Sequence, residues 1–166
     1  MTADAERWAS ARNLPDLAAL VIAWLNGEIG ETPIYEGGPC EDKLSLAAIL
    51  TAVNRAGLVT DNAAPAGADD DGEDMQNAWI EGFADDATEA ALLKAVRGTD
   101  LVYCASRRFN PLREGVGEDW DAWMDSCPEA ARALYHAWHV VIEDPRPGRD
   151  DVLWPALEAF AREAAR

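Results

Sequence analysis

The chain is predicted to fold as a single layered α/β domain, with a small mixed β-sheet of about four strands flanked by about five helices. Three observations carry that prediction. Segments with apolar residues at helical spacing alternate along the chain with short alternating or continuous apolar runs. Glycines, prolines and asparagines punctuate the joins. The length of 166 residues, 49% of them apolar and seven of them tryptophan, suits one domain (1–166) with a substantial core.

Taken in order, Leu17, Leu20, Val21, Trp24 and Leu25 define the apolar face of a first helix, and Trp8 and Ala11 extend that face upstream. Asn13 is placed to cap it, Pro15 suits its first turn, and Gly27 follows its end. Residues 28–42, with Gly30, Pro33, Gly37, Gly38 and Pro39, read as a loop. A second helix runs from Leu44 to Arg55 and buries Leu46, Ile49, Leu50 and Val53; Gly57 suits its C-terminal turn. Leu58-Val59-Thr60 begins a strand.

Residues 61–76 carry the run Asp69-Asp70-Asp71-Gly72-Glu73-Asp74 and few apolar groups, which predicts a flexible acidic loop. Its spacing departs from that of a calcium loop. Trp79-Ile80-Glu81-Gly82-Phe83 reads as a strand; whether it pairs with 58–60 as a long-looped hairpin is left open by the sequence. Asp86 and Glu89 form a capping-box pattern for a helix that buries Leu92, Leu93 and Val96 and stops at Gly98. The continuous run Leu101-Val102-Tyr103-Cys104-Ala105 has the character of an interior strand. Residues 107–119 form a loop, and 120–135 a helix broken at Pro128. Val140-Val141-Ile142 is the most β-branched run and pairs with 101–105 at the sheet centre. A last helix carries Val152, Leu153, Ala156, Leu157 and Phe160 on one face.

The formal net charge is −17. Direct nucleic-acid binding is not expected of such a chain, because counterion release requires surface Lys and Arg. Anionic membranes repel it, and no apolar run reaches the ~18 residues of a membrane span. Three cysteines at wide spacing (Cys40, Cys104, Cys127) form no disulfide framework. Met1-Thr2-Ala3-Asp4-Ala5-Glu6 lacks a basic leader. These features predict a cytoplasmic protein, monomeric or homodimeric, with no cofactor and no bound metal. His136 and His139, with Cys127 upstream, are the nearest approach to a zinc set, and no Cys-x-x-Cys pair completes it.

Two sets of candidate site residues stand out. Arg107 and Arg108 follow one strand, while Asp144, Arg146, Arg149 and Asp150 form the corner after another. If those strands are neighbours, the two corners line one cleft able to hold a phosphate or carboxylate bidentately, and Asn54, Thr60 and Asp61, at a helix end and a strand end, supply polar contacts. Separately, Trp120 and Trp123, in an acidic stretch with Asp119 and Asp121, form a candidate partner-binding patch. No nucleophile motif, P-loop or dinucleotide glycine run is present.

Three stretches carry a family resemblance. They are Trp8-Ala9-Ser10-Ala11-Arg12 with its Leu-rich helix, Asn54-Arg55-Ala56-Gly57-Leu58-Val59-Thr60, and the ending Asp144-Pro145-Arg146-Pro147-Gly148-Arg149-Asp150-Asp151-Val152-Leu153-Trp154. Together they resemble an uncharacterised family of actinobacteria and their phages that has no established activity. The resemblance implies a Ser-Gln-Pro-Gly turn two residues after Thr60, where this chain has Ala63-Ala64-Pro65-Ala66.

The functional expectation is a non-enzymatic accessory protein that binds a protein partner through its acidic surface, as an inhibitor or DNA mimic does. The alternative is a protein that binds or acts on a small anionic ligand, a nucleotide or phosphorylated metabolite, in the Arg-lined cleft.

Overall fold

The computed structural model describes residues 2–68, 75–107 and 116–166. The acidic run at Asp69–Asp74, Arg108 and most of the 107–119 loop fall outside them, as does the side chain of Asp119. Within them the chain forms a single α/β arrangement of eight helices and a four-stranded sheet. No helix among the described residues is long and apolar enough to cross a membrane.

Trp8 and Ala11, expected to prolong the first helix, belong instead to a separate helix and its exit: α1 (Ala3–Ala9) ends at Ser10. Asn13 then caps α2 (Leu14–Leu25), its Oδ1 accepting from the Asp16 N–H at 2.9 Å. Two buried indoles fasten the following loop: Trp8 Nε1 donates to the Glu31 carbonyl and Trp24 Nε1 to the Gly37 carbonyl, each at 2.9 Å. The segment expected as one helix from Leu44 is two, α3 (Glu41–Ser45) and α4 (Ala47–Arg55), hinged at Leu46.

β1 (Val59–Ala64) continues well into the region expected to be loop. It leads through a small ladder, β2 (Gly67–Ala68) with β3 (Met75–Gln76), to β4 (Trp79–Ala84), which returns antiparallel to β1 and so settles the pairing that the sequence left open. A bulge at Asp61 interrupts that pairing, between Thr60↔Gly82 and Asn62↔Glu81. There the strands press together: a Cβ on Gly82 would lie 2.3 Å from the Val59 carbonyl oxygen. α5 (Asp86–Val96) is capped by Asp85 rather than Asp86, the Asp85 carboxylate accepting from the Thr88 N–H at 2.8 Å. β5 (Val102–Arg107), α6 (Val116–Ser126), α7 (Ala131–His136), β6 (Trp138–Glu143) and α8 (Leu153–Ala164) complete the order. The break between α6 and α7 falls at Pro128, as its ring dictates.

The sheet order is β1-β4-β6-β5, with every described pairing antiparallel. Two expectations are corrected here. The strand–helix–strand alternation suggested a mixed sheet, and β4 and β5, joined by α5, do run parallel to one another. They leave a gap of one strand, and β6 fills it antiparallel to both. Consequently β5 is an edge strand and the central pair is β4–β6. The apolar run of β5 is only half-buried, with Val102 exposed.

α5 packs on β4, β5 and β6, and α8 packs across α4 and α5. The opposite face of the sheet meets α6 through a ring cluster in which Phe83 lies 5.4 Å from Trp123, 5.7 Å from Trp120 and 5.6 Å from His139.

Candidate functional site

The two arginine corners do not line one cleft. Arg107 pairs in register with Trp138 at the start of β6, whereas Arg146 and Arg149 follow the end of β6. Because β5 and β6 run antiparallel, the corners lie at opposite ends of six-residue strands, about 17 Å apart at ~3.3 Å per residue. Each corner is also occupied from within. Arg107 pairs with Asp86, donates to the His136 carbonyl and lies 4.7 Å over the Trp138 ring. Arg146 meets Asp100 at 3.0 Å. Arg149 clamps Asp144 at 2.6 Å and Asp100 at 2.7 Å, which raises its pKa further, and Asp144 itself is wholly buried. Asp150 accepts from the Ala66 N–H and from the Trp154 indole, so the departed Ala63-Ala64-Pro65-Ala66 turn is held by the C-terminal motif.

Asn54 and Thr60 form a latch between α4 and β1. Asn54 Nδ2 donates to the Leu50 carbonyl at 2.8 Å and to Thr60 Oγ1 at 2.7 Å, while its Oδ1 accepts from the Thr60 N–H at 3.1 Å. Gly57 turns the chain between them at φ +105°, with Thr88 Oγ1 where a Cβ would need 2.5 Å. The motif Asn54-Arg55-Ala56-Gly57-Leu58-Val59-Thr60 thus encodes a helix-to-strand joint.

The tryptophan patch is also corrected. Trp123 is 1% exposed, packed edge-on against Trp8 at 5.7 Å, and its indole donates to Asp61 Oδ1 at 2.6 Å. Trp120 is half-buried on Phe83, leaving Asp121 exposed. A residue of such amphipathic size serves the core first. His136 ends α7 and His139 lies inside β6, so the two imidazoles share no helix face.

What the structure assembles instead is a buried polar group on the α6-facing side of the sheet. Glu81 and Phe83 alternate onto that side of β4, and the register adds Asn62 from β1, His139 from β6 and Ser106 from β5. Glu81 Oε2 lies 3.9 Å from His139 Nε2, both buried. Lys43, 7% exposed, reaches in from α3 and donates to Asn62 Oδ1 and to the Ala63 carbonyl. Its ammonium lies 5.5 Å from the Tyr35 ring centroid and 6.0 Å from that of Trp79. Burial pushes the Lys43 pKa down, and Cys40, Asp42, Glu81 and Asp61 pull it back up. The cavity around it, walled by Trp24, Tyr35, Thr60 and Asp61, has only about 10 Å³ to spare, room for one water at most.

Sequence reasoning missed Lys43 because it stands in a polar run. Its position carried a signal: the buried stripe Leu46, Leu50, Val53, which runs from the hinge into α4, lands on residue 43 when continued back one turn. No curated protein matches the chain. Residues 3–116 match the family model described as Domain of unknown function (DUF6919), a span that includes the Trp8 start, Lys43, the Asn54–Thr60 joint and Glu81, and stops before the Asp144–Trp154 ending. The chain belongs to this family, DUF6919.

Proposed function

We propose that this domain is a non-enzymatic binding protein, an accessory protein of an actinobacterium or its phage, that engages a basic protein partner through its acidic surface. One observation supports the reading above others: several of the described cations are already paired with acids of the same chain. Lys94 is spent on Glu163, Arg107 on Asp86, Arg146 and Arg149 on Asp100 and Asp144, and Lys43 is buried. Each ion pair takes up one acid with each base, so the excess of 31 Asp and Glu over 14 Lys and Arg is undiminished, and exposed carboxylates such as Glu36, Glu41, Asp42, Asp121, Asp125 and Glu129 carry part of it. A net negative field of that kind steers a basic partner and repels nucleic acid and acidic proteins. An inhibitor of a DNA-binding protein, competing as a DNA mimic, fits this charge.

Among the described residues the small-anion reading lacks the shared cleft it needs, because Arg107 stands at the opposite end of β6 from Arg146 and Arg149 and each of the three is already paired with an acid. The test is affinity capture from lysate at about 0.05 M salt, followed by elution at about 0.5 M salt and, separately, by duplex DNA. The expected catch is a basic DNA-binding protein released by both. Retention that ignores salt, or a catch no more basic than the lysate, rejects the reading.

A further inference from the structure

α3 is five residues long, and its N-cap Cys40 makes no side-chain hydrogen bond. Glu41, Asp42, Leu44 and Ser45 are exposed; Lys43 alone turns inward. The helix is thus held to the body by the cation it carries and by Leu46 at its exit. Below it, the Lys43 ammonium meets two oxygen acceptors, Asn62 Oδ1 and the Ala63 carbonyl, and two aromatic faces, Tyr35 and Trp79. Trp24 stacks behind Tyr35 at 5.8 Å and 11°, fixing that wall. The carboxylates of Asp61 and Glu81 are buried in the same region, and Glu36, Glu41 and Asp42 are exposed around the mouth. Rings, carbonyl oxygens and carboxylates converging on one point are the chemistry that recognises an ammonium ion.

We propose that the pocket of Tyr35, Trp79, Asn62 and Asp61 is an alkylammonium-recognition site, filled in the free protein by Lys43 and opened to a lysine side chain of the basic partner when α3 lifts away. The exchange replaces like with like: an incoming lysine takes over the same two acceptors and the same two rings, and the partner adds contacts with the acidic rim. The desolvation cost of burying an ammonium is already met in the free protein, so displacement does not add it again. Competition from Lys43 lowers the apparent affinity for any external ammonium by the fraction of molecules in which α3 is closed. This inference rests on the acidic-binder reading for its partner; the small amine below tests the pocket without the rest of the surface.

The experiment uses n-butylammonium, the lysine side chain without its backbone, and 1-butanol as the uncharged control. Calorimetry on Lys43→Ala should give saturable n-butylammonium binding about tenfold or more tighter than in wild type, with 1-butanol failing to substitute. In wild type, saturating n-butylammonium should speed hydrogen exchange of the amides of residues 41–46. A folded Lys43→Ala that binds the amine no better than wild type, or binds 1-butanol as well, overturns the proposal. Should Lys43→Ala fail to fold, Lys43→Met keeps the aliphatic stem, and unchanged exchange over 41–46 in wild type is decisive against displacement. Loss of n-butylammonium binding with salt-sensitive partner capture intact removes the pocket alone; the reverse pattern removes the acidic-surface reading alone.

Discussion

The Trp123 indole N–H donates to Asp61 Oδ1 at 2.6 Å, and both residues are buried, so this hydrogen bond fastens α6 to the bulge of β1. Trp123→Phe keeps most of the ring packing on Phe83 and Trp8 but strips the carboxylate of that donor. A buried acceptor that loses a donor costs about 1–3 kcal/mol. Urea denaturation should show a loss of that size, and a clearly smaller one for the half-buried Trp120→Phe. Equal losses would mean that the hydrogen bond contributes nothing beyond ring volume.

Arg149 and Arg146 should part company on mutation. Asp144 has no exposed side-chain surface and depends on Arg149 for its counter-charge, whereas Arg146 is 68% exposed opposite Asp100. Arg149→Ala leaves a buried carboxylate without its counter-ion, which is among the most destabilising changes available. Arg146→Ala removes a solvent-screened pair worth little. Thermal melts should rank Arg149→Ala far below wild type and Arg146→Ala beside it; matching melting temperatures would refute the clamp.

Glycine positions offer a graded series. Gly27 has φ +75° and open space around it, so Gly27→Ala should cost about 1 kcal/mol, the backbone strain alone. Gly57→Ala adds a clash with Thr88 and should cost about 2–4 kcal/mol. Gly82→Ala meets the backbone of Val59 and Thr60, which no rotamer change relieves, and should prevent accumulation of folded protein. Chemical denaturation of the first two and soluble yield of the third check the order.

Alkaline pH should unfold the chain through Cys127. Burial pushes its thiol from 9.0 up to about 12. A group that holds its proton longer when folded gives stability that is complete below the unfolded pKa and is lost as pH rises towards the folded one. The loss therefore begins near pH 9 and runs towards about 12. Tyr103, raised by burial and by its hydrogen bond to Glu89, adds to it from pH 10 upward, while Lys43, lowered by burial, acts in the opposite direction. Melting temperature against pH should fall less steeply between pH 9 and 10 in Cys127→Ala than in wild type, whatever that variant's starting stability.

Local signals were read well where one physical cause dominates. Asn13 caps its helix, Pro128 separates two helices, and Gly57 turns the chain into β1. Signals that depend on the third dimension were not. Leu101–Ala105 is apolar enough for a central strand, yet sequence cannot say that β6 arrives later and takes the centre. Arg107 and Arg149 each follow a strand, but strand direction, which decides whether they meet, is set by pairing. The tryptophans at 120 and 123 sit among acids on the chain and against Phe83 in space. Lys43 and Glu81 were hidden because a charged residue is read as exposed by default.

The placement of β6 bears on how the molecule comes to exist. Every residue of β4 and of β5 that pairs at the sheet centre does so with residues 138–143. A nascent chain that has emerged only as far as residue 116, where the match to the family ends, holds two strands with a gap between them and no partner for either inner edge. Synthesis at about 5–20 residues per second keeps those edges open for seconds, a window in which a chaperone or a second nascent chain competes with β6 for them. Ribosome-bound intermediates of this protein should therefore be soluble only with help, and the strand made late is the one that makes the domain independent of it.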